Sequence, residues 1–127
     1  MASISSTQSN VIDLSPAEWV QSSKPLRLLD VRSRFEYTLF HAPNAINLSL
    51  PRILMAPVPL LRNWALPKWF WDLSKDEPIA IICLTAHRSP IAAQILANVG
   101  FTQVFNVTGG MMAWRKAGLP VCKGHSA

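Results

Sequence analysis

The sequence predicts an α/β fold: a small domain with a central parallel sheet of about five strands and helices on both faces. Short apolar segments that resemble strands alternate along the chain with segments that resemble helices, which favours parallel strands joined by helices. One segment, residues 78–83, is apolar almost throughout, as expected for a strand that is buried on both faces. The chain has 127 residues, of which 50% are hydrophobic and 15% charged, so it can form one domain with an ordinary core.

The ends of the chain are predicted to lie outside this domain. Residues 1–10 are polar and Ser-rich, and we expect them to form a loose N-terminal tail. The domain itself is expected at 11–121, and residues 122–127 are expected to form a C-terminal tail.

Two capping boxes predict the first helices. Ser15 is followed three residues later by Glu18, and Ser33 by Glu36. In such a pair the hydroxyl and the carboxylate each accept a backbone N–H bond at the start of a helix. The predicted helices cover residues 15–22 and 34–39.

Short apolar runs predict the strands of the sheet. We place strands at residues 26–31, 45–48, 78–83 and 104–107. Residues 51–73 contain several prolines, so we expect one or two helices there, broken where a proline cannot continue the hydrogen-bond ladder.

The last two helices are predicted from their first and last residues. Ser89, as the N-terminal cap, and Pro90 begin one helix, and Gly100 ends it. Its apolar stripe at helical spacing consists of Ile91, Ile95, Leu96 and Val99. The final helix is expected at residues 111–117, after two adjacent glycines.

Charge and cysteine content exclude several classes of protein. Lys and Arg outnumber Asp and Glu by 12 to 7, an excess that favours anionic partners in general. The basic residues are scattered without a nucleic-acid-binding motif, so nucleic acid is not an expected partner. Two cysteines are too few for a disulfide framework and have no zinc-ligand spacing. We expect no metal and no organic cofactor.

The segments that might direct the chain to a membrane do not fit that role. The N-terminus lacks the basic start and apolar run of a signal peptide, so we expect a cytoplasmic protein. The apolar segment 50–73 contains prolines and basic residues, whereas a membrane span needs about 20 mostly apolar residues.

Cys83 is the candidate nucleophile. It stands at the carboxyl end of the most apolar strand, and five residues later Arg88 precedes the start of a helix. A helix N-terminus and a guanidinium both favour a negatively charged sulfur, and the thiolate is the nucleophilic form of cysteine. The competing interpretation is that Cys83 is a small buried hydrophobic residue.

The remaining histidines and the second cysteine have plainer interpretations. His87 is expected to be an exposed loop residue that adds positive charge when protonated. His41 is expected to have a structural or surface role. Cys122 lies beyond the last helix, with only Lys123 as a basic neighbour, and is expected to be a thiol without a part in catalysis.

Three sequence motifs together resemble the rhodanese family. Leu29-Asp30-Val31-Arg32, Glu36-Tyr37 and His41-Ala42-Pro43-Asn44-Ala45-Ile46-Asn47 resemble the front motif of rhodanese domains. Cys83, four residues, Arg88 and Ser89 resemble their active-site loop, and Val107-Thr108-Gly109-Gly110-Met111 with Trp114 resembles the segment before their last helix. The resemblance covers about residues 11–121.

The resemblance implies a rhodanese-like small domain that transfers sulfane sulfur, often from thiosulfate, to a thiophilic acceptor such as a thiol or cyanide. It implies that Cys83 carries the sulfur as a persulfide. The implied cradle around that sulfur is formed by Leu84, Thr85, Ala86, His87, Arg88 and Ser89. By the same resemblance, Asp30 and Arg32 form a structural pair near the floor of the site, and Glu36 is a partner for a basic group there.

The length and composition of the loop bear on the substrate. Related cell-cycle phosphatases and arsenate reductases have one residue more between Cys and Arg, which admits a tetrahedral oxyanion. The shorter loop from Cys83 to Arg88 therefore favours sulfur over phosphate. Many family members have Gly where Ala86 stands, and Ala adopts positive φ poorly, so we expect a slightly different curl of this loop.

Residues 51–73 are longer and more aromatic than the family minimum. Two interpretations stay open for this segment: a helix packed on the sheet, or a docking surface for a protein partner. The aromatic residues concerned are Trp64, Trp69, Phe70 and Trp71.

Four functions remain open from the sequence. The first is an enzyme of the thiosulfate sulfurtransferase type, with small anionic sulfur donors. The second is a protein-to-protein sulfur carrier, and the third is a binding module without catalysis, because a fold can lose its chemistry. A phosphatase or arsenate reductase is disfavoured by the short loop.

Overall fold

The computed structural model describes residues 11–22, 27–85 and 87–124. Five strands form one sheet in the order β1-β5-β4-β2-β3, and every pair is parallel. The strands are β1 (Val11–Leu14), β2 (Arg27–Asp30), β3 (Ile46–Asn47), β4 (Ile79–Ile82) and β5 (Val104–Val107). The helices are α1 (Pro16–Gln21), α2 (Arg34–Leu39), α3 (Leu50–Leu54), α4 (Pro59–Ala65), α5 (Lys68–Trp71), α6 (Ser89–Asn98) and α7 (Gly110–Lys116). The predicted α/β fold is confirmed.

Strand β4 lies at the centre of the sheet, between β5 and β2. All four of its residues are buried, because helices cover both faces of the sheet. This explains why the segment is apolar at successive positions instead of alternating.

Two apolar clusters form the core, one on each face of the sheet. One contains side chains of β2, β4 and the helices α3 to α6, including Ile53, Phe70 and Leu96. The other contains side chains of α2 and α7, including Tyr37 and Trp114. The prediction of helices on both faces is therefore confirmed.

The two predicted capping boxes are present. Glu18 N donates to Ser15 Oγ and Ser15 N to Glu18 Oε1, at 3.1 and 2.8 Å. Ser33 and Glu36 make the equivalent pair of bonds at the start of α2. Local hydrogen bonding thus sets where both helices begin, which is why the sequence alone locates them well.

Strand β1 was not predicted, although the total of about five strands was. It pairs with β5 at the edge of the sheet, in the register Val11 to Val104. Ile12 and Asp13 are exposed in this strand. An edge strand needs no apolar run, so the pattern that identifies a buried strand is missing here.

The aromatic segment forms three short helices, α3 to α5, where one or two were expected. Phe70 is 0% exposed and packs against Trp71 and Phe101. Trp69 is only partly exposed, whereas Trp64 is 78% exposed. Of the two interpretations, packing against the sheet is confirmed for Phe70, whose ring fills the core, and the docking-surface alternative is wrong for this residue.

Helix α6 differs from the prediction in its cap and its buried face. Arg88, and not Ser89, is the N-terminal cap, and Ser89 is buried as the first helical residue. Ile91 is 50% exposed, so the predicted stripe is wrong at that position. The residues that face the sheet are Ser89, Ala92, Ala93 and Leu96, and mostly small side chains allow the helix to pack closely. Gly100 follows the helix with φ of 118°, as expected for its end.

Membrane spans and metal clusters are both absent from the described part of the chain. None of its helices has both the length and the apolar character that crossing a membrane requires. No group of three or more His, Cys, Asp or Glu side chains among these residues is placed to hold a metal ion.

Candidate active site

The carboxyl ends of the parallel strands place the candidate residues at one edge of the sheet. Cys83 directly follows β4, Val31 follows β2 and Ser49 lies just beyond β3. Ligand sites of open α/β sheets are found at this edge, where loops connect strands to helices. The loop from Cys83 to Arg88 links β4 to α6 across it.

Cys83 is nearly enclosed by the core, at 1% exposure. Its Sγ donates a hydrogen bond to Ser89 Oγ at 3.4 Å. No backbone amide of the described loop residues hydrogen-bonds to the sulfur. Among the described residues, the Ser89 hydroxyl is therefore the polar group that hydrogen-bonds to the sulfur.

The start of α7 packs directly beneath the loop. Met111 N donates to Cys83 O at 2.7 Å, and Met112 N donates to Leu84 O at 2.9 Å. Gly110 has φ of 58°, and a Cβ there would lie 2.3 Å from Cys83 O and 2.5 Å from Thr85 O. Only glycine fits this position. Gly110 lies in one of the motifs that resemble the rhodanese family, but no local signal marks it as a site residue.

Arg88 fastens the far end of the loop to α2. It donates from Nη1 to Glu36 Oε1 at 2.6 Å and from Nη2 to Oε2 at 3.0 Å. The hydrogen bond from Arg88 lowers the pKa of Glu36 to about 2, with burial opposing it. The same bond raises the pKa of Arg88; burial opposes this rise and the negative charge of Glu36 adds to it.

The other loop residues lie nearer to solvent. Leu84 is half-buried, and Thr85 and His87 are exposed. Thr85 Oγ1 lies 3.3 Å from His87 Nδ1. Ala86 is outside the described residues, so the predicted effect of its methyl group on the loop stays a prediction.

With this geometry established, the comparisons with known proteins identify the family. The family model of the Rhodanese-like domain matches residues 9–117. The chain belongs to the rhodanese-like domain family.

Relatives of this rhodanese-like domain include proteins that are named as sulfurtransferases. Thiosulfate sulfurtransferase GlpE from Vibrio cholerae is 31% identical over 110 residues, covering 87% of this chain and 92% of that protein. A rhodanese-related protein from Thermoplasma volcanium has a crystal structure that superimposes with TM-score 0.68 at 29% identity, covering 87% of this chain and 97% of that one. The polysulfide-sulfur transferase homodimer from Wolinella succinogenes gives TM-score 0.63 at 27% identity, covering 96% and 85% respectively.

Asp30 and Arg32 form a buried ion pair at the carboxyl end of β2 in this rhodanese-like domain. Their side chains are 0% and 1% exposed, and Arg32 Nη2 donates to Asp30 Oδ2 at 2.8 Å. Arg32 also bonds to Phe40 O and lies 5.0 Å from the Phe40 ring centroid. Asn47 Nδ2 donates to the backbone oxygens of both charged residues. The pair therefore joins β2, β3 and the end of α2.

His41 is buried, and its contacts are structural. Its Nδ1 lies 2.9 Å from Tyr37 O, and its ring stacks on the Tyr37 ring with centroids 3.8 Å apart. Its backbone pairs with that of Cys122 through two hydrogen bonds. These contacts attach the segment at residue 122 to the domain.

A cleft of about 390 Å³ opens beside the loop at the carboxyl edge of the sheet. Its walls are Val31, Ser33, Arg34, Ser49, Leu50, Pro51 and Arg88. Arg34 is exposed and makes no ion pair within the described residues, whereas Arg88 is paired with Glu36. The uncompensated charge of Arg34 makes the cleft attractive to an anion. No local motif in the sequence marks Arg34 as a site residue.

Proposed function

We propose that this rhodanese-like domain is a sulfurtransferase in which Cys83 carries sulfur as a persulfide. The observation that carries the proposal is the placement of Cys83 at the carboxyl end of the central strand, in a loop that Arg88 closes. The similarity to a thiosulfate sulfurtransferase over 87% of the chain supports the same conclusion.

The reaction needs no metal and no organic cofactor. The Cys83 thiolate attacks the outer sulfur of thiosulfate or of a persulfide donor. The sulfur–sulfur bond of the donor breaks, and sulfite or a thiolate leaves with the electron pair. An acceptor thiolate or cyanide then attacks the outer sulfur of the Cys83 persulfide and releases the Cys83 thiolate. This double displacement predicts ping-pong kinetics.

The charges around the cleft suit an anionic donor. The guanidinium groups of Arg34 and Arg88 line it, and both stay protonated at physiological pH. Because Cys83 is 1% exposed, the loop must shift before the sulfur meets a donor. We propose that the segment from Leu84 to Ser89 then forms the cradle, with its amides turned towards the charged sulfur.

We propose that the protein acts in the cytoplasm, where a reduced thiol is the ordinary state of cysteine. Under these conditions Cys83 is available for a cycle between thiol and persulfide. The proposed domain limits are 11–121. Cys122, just beyond them, is joined to the domain by its backbone hydrogen bonds to His41, and we propose that its thiol takes no part in the reaction.

The proposal is tested by measuring thiocyanate formation from thiosulfate and cyanide. Cys83→Ser is expected to abolish turnover, and the matched control Cys122→Ser to leave it unchanged. Intact mass spectrometry after thiosulfate treatment should show one added sulfur atom on the wild type and none on Cys83→Ser. Full turnover by Cys83→Ser would refute the mechanism.

A second candidate, transfer to or from a protein partner, is favoured by one exposed surface. On α4, Leu60 is 92% and Trp64 is 78% exposed, and large exposed apolar side chains often mark interfaces. Such a carrier would hold sulfur on Cys83 but turn over slowly with thiosulfate and cyanide. Rapid turnover with these small molecules would argue against it.

A further inference from the structure

A chain of hydrogen bonds leads from Cys83 through the protein interior to the edge of the sheet. Cys83 Sγ donates to Ser89 Oγ at 3.4 Å, and Ser89 Oγ donates to Asn106 Oδ1 at 2.5 Å. Asn106 Nδ2 donates to Asp13 Oδ1 at 3.2 Å. Ser89 is 0% and Asn106 5% exposed. Polar groups this deeply buried are costly unless they are hydrogen-bonded, so the chain of bonds fixes each side chain.

The carboxylate of Asp13 sets the direction of every bond in this chain. An ionised carboxylate only accepts hydrogen bonds, so Asn106 turns its Nδ2 towards Asp13 and its Oδ1 towards Ser89. An amide oxygen also only accepts, so the one hydroxyl proton of Ser89 is committed to Asn106. Ser89 therefore presents lone pairs to the sulfur and accepts a hydrogen bond from the Cys83 thiol.

We infer that Ser89, Asn106 and Asp13 are positioning residues that hold Cys83 in its protonated thiol form. A thiolate has no proton to donate and is stabilised by donors. While the Ser89 proton is held by Asn106, this hydroxyl cannot stabilise the thiolate. The inference rests on the proposed function only where it takes the thiolate to be the reactive form.

The other charged groups near the thiol lie outside this chain of bonds. Arg88 interacts electrostatically with Cys83, and with Glu36 and Asp30. His87 is exposed and contacts Thr85. Among the described residues, none of these groups bonds to Ser89, Asn106 or Asp13. Substitutions in the chain of bonds therefore leave the surrounding charges in place.

The first test removes Asn106 Oδ1, which accepts the hydrogen bond of the Ser89 hydroxyl, without changing the net charge. In a Cys122→Ser background, the thiolate of Cys83 is titrated by its ultraviolet absorbance, with no sulfur donor present. Asn106→Val frees the Ser89 hydroxyl to donate to the thiolate. The thiolate fraction well below the pKa of Cys83 should then rise about tenfold. In a Ser89→Ala background the same substitution should have no effect, because the group that acts is missing.

The second test changes Asp13, at the outer end of this series of hydrogen bonds, so that it no longer fixes their direction. Asp13 is exposed on the edge strand, so Asp13→Asn should fold normally even if Asn106→Val does not. An amide at this position can donate or accept, so Asn106 is free to turn and the thiolate fraction should rise. Loss of a negative charge also favours a thiolate, so the control is Asp72→Asn, another exposed aspartate. The rise for Asp13→Asn should persist at high salt, where long-range charge effects are screened.

Two results would overturn the inference. One is an unchanged titration of Cys83 in both Asn106→Val and Asp13→Asn, with folding verified by circular dichroism and thermal melting. The other is a lower thiolate fraction in Ser89→Ala than in the parent, which would show that Ser89 donates to the thiolate. Neither result depends on sulfur transfer, so this inference and the proposed function fail separately.

Discussion

Arg88 and Glu36 form a two-bond ion pair, at 2.6 and 3.0 Å, that fastens the end of the Cys83–Arg88 loop to the start of α2. The same carboxylate accepts the backbone N–H of Ser33 as part of a capping box. One residue therefore begins a helix and holds the loop. Its loss is expected to affect both stability and catalysis.

Glu36→Gln is expected to lower the free energy of unfolding by about 1 kcal/mol, since partly exposed ion pairs contribute little. It is also expected to reduce the rate of sulfur transfer more than its control variant does. The matched control is Glu77→Gln, which breaks the ion pair with Arg27, of similar exposure. Urea denaturation and the thiocyanate assay measure the two effects. Equal activity of the two variants would show that the Glu36 pair does not support the loop.

The Glu36 carboxylate also predicts a pH dependence of stability. Its pKa falls from 4.5 to about 2 in the folded protein, so its contribution is fully present above pH 4.5 and lost as the pH falls towards 2. The difference in urea midpoint between wild type and Glu36→Gln should shrink over this range. A difference that stays constant down to pH 2 would contradict the assignment.

Gly110→Ala should destabilise the domain strongly, because its Cβ would lie 2.3 Å from Cys83 O. Gly118→Ala is the matched control: Gly118 also has positive φ, 76°, but nothing lies within 4 Å of a Cβ there. Both variants lose about 1 kcal/mol or more to the left-handed backbone. Only Gly110→Ala should lose further stability and displace the Cys83–Arg88 loop. Thermal melting would detect the first effect and the thiocyanate assay the second. Similar melting temperatures for the two would refute the predicted collision.

Arg34→Gln should raise KM for thiosulfate about two- to fivefold with little change in kcat, because an exposed charge contributes at most about 1 kcal/mol to binding. The effect should diminish as ionic strength rises. Lys68→Gln removes an exposed cation that does not line the cleft and serves as the control. An equal rise in KM for both variants would mean that only the net charge matters.

Local patterns predicted the features that neighbouring residues along the chain determine. The capping boxes at Ser15 and Ser33 located two helices, because both partners of each bond lie within three residues. The apolar run of β4 placed Cys83 at the carboxyl end of a buried strand. The spacing from Cys83 to Arg88 and the paired glycines gave the resemblance to rhodaneses, and the family match agrees.

Other features have no local signal, because they arise between residues distant in the chain. Strand β1 was missed because an edge strand is specified by its partner, here β5. Ser89 was taken for a helix cap because its hydrogen bond to Asn106 spans 17 residues and leaves no local signal. Phe70 could not be assigned to the core from an aromatic segment alone.

Periodicity, capping and short motifs are encoded within a few residues, so they were enough to predict the α/β fold, the family and the candidate nucleophile. The groups that surround the sulfur come from distant parts of the chain and could not be predicted in this way. The Arg88–Glu36 pair spans 52 residues and the Asn106–Asp13 bond 93. Such contacts exist only once the sheet has brought its strands together, and they decide which charged and polar groups lie near Cys83.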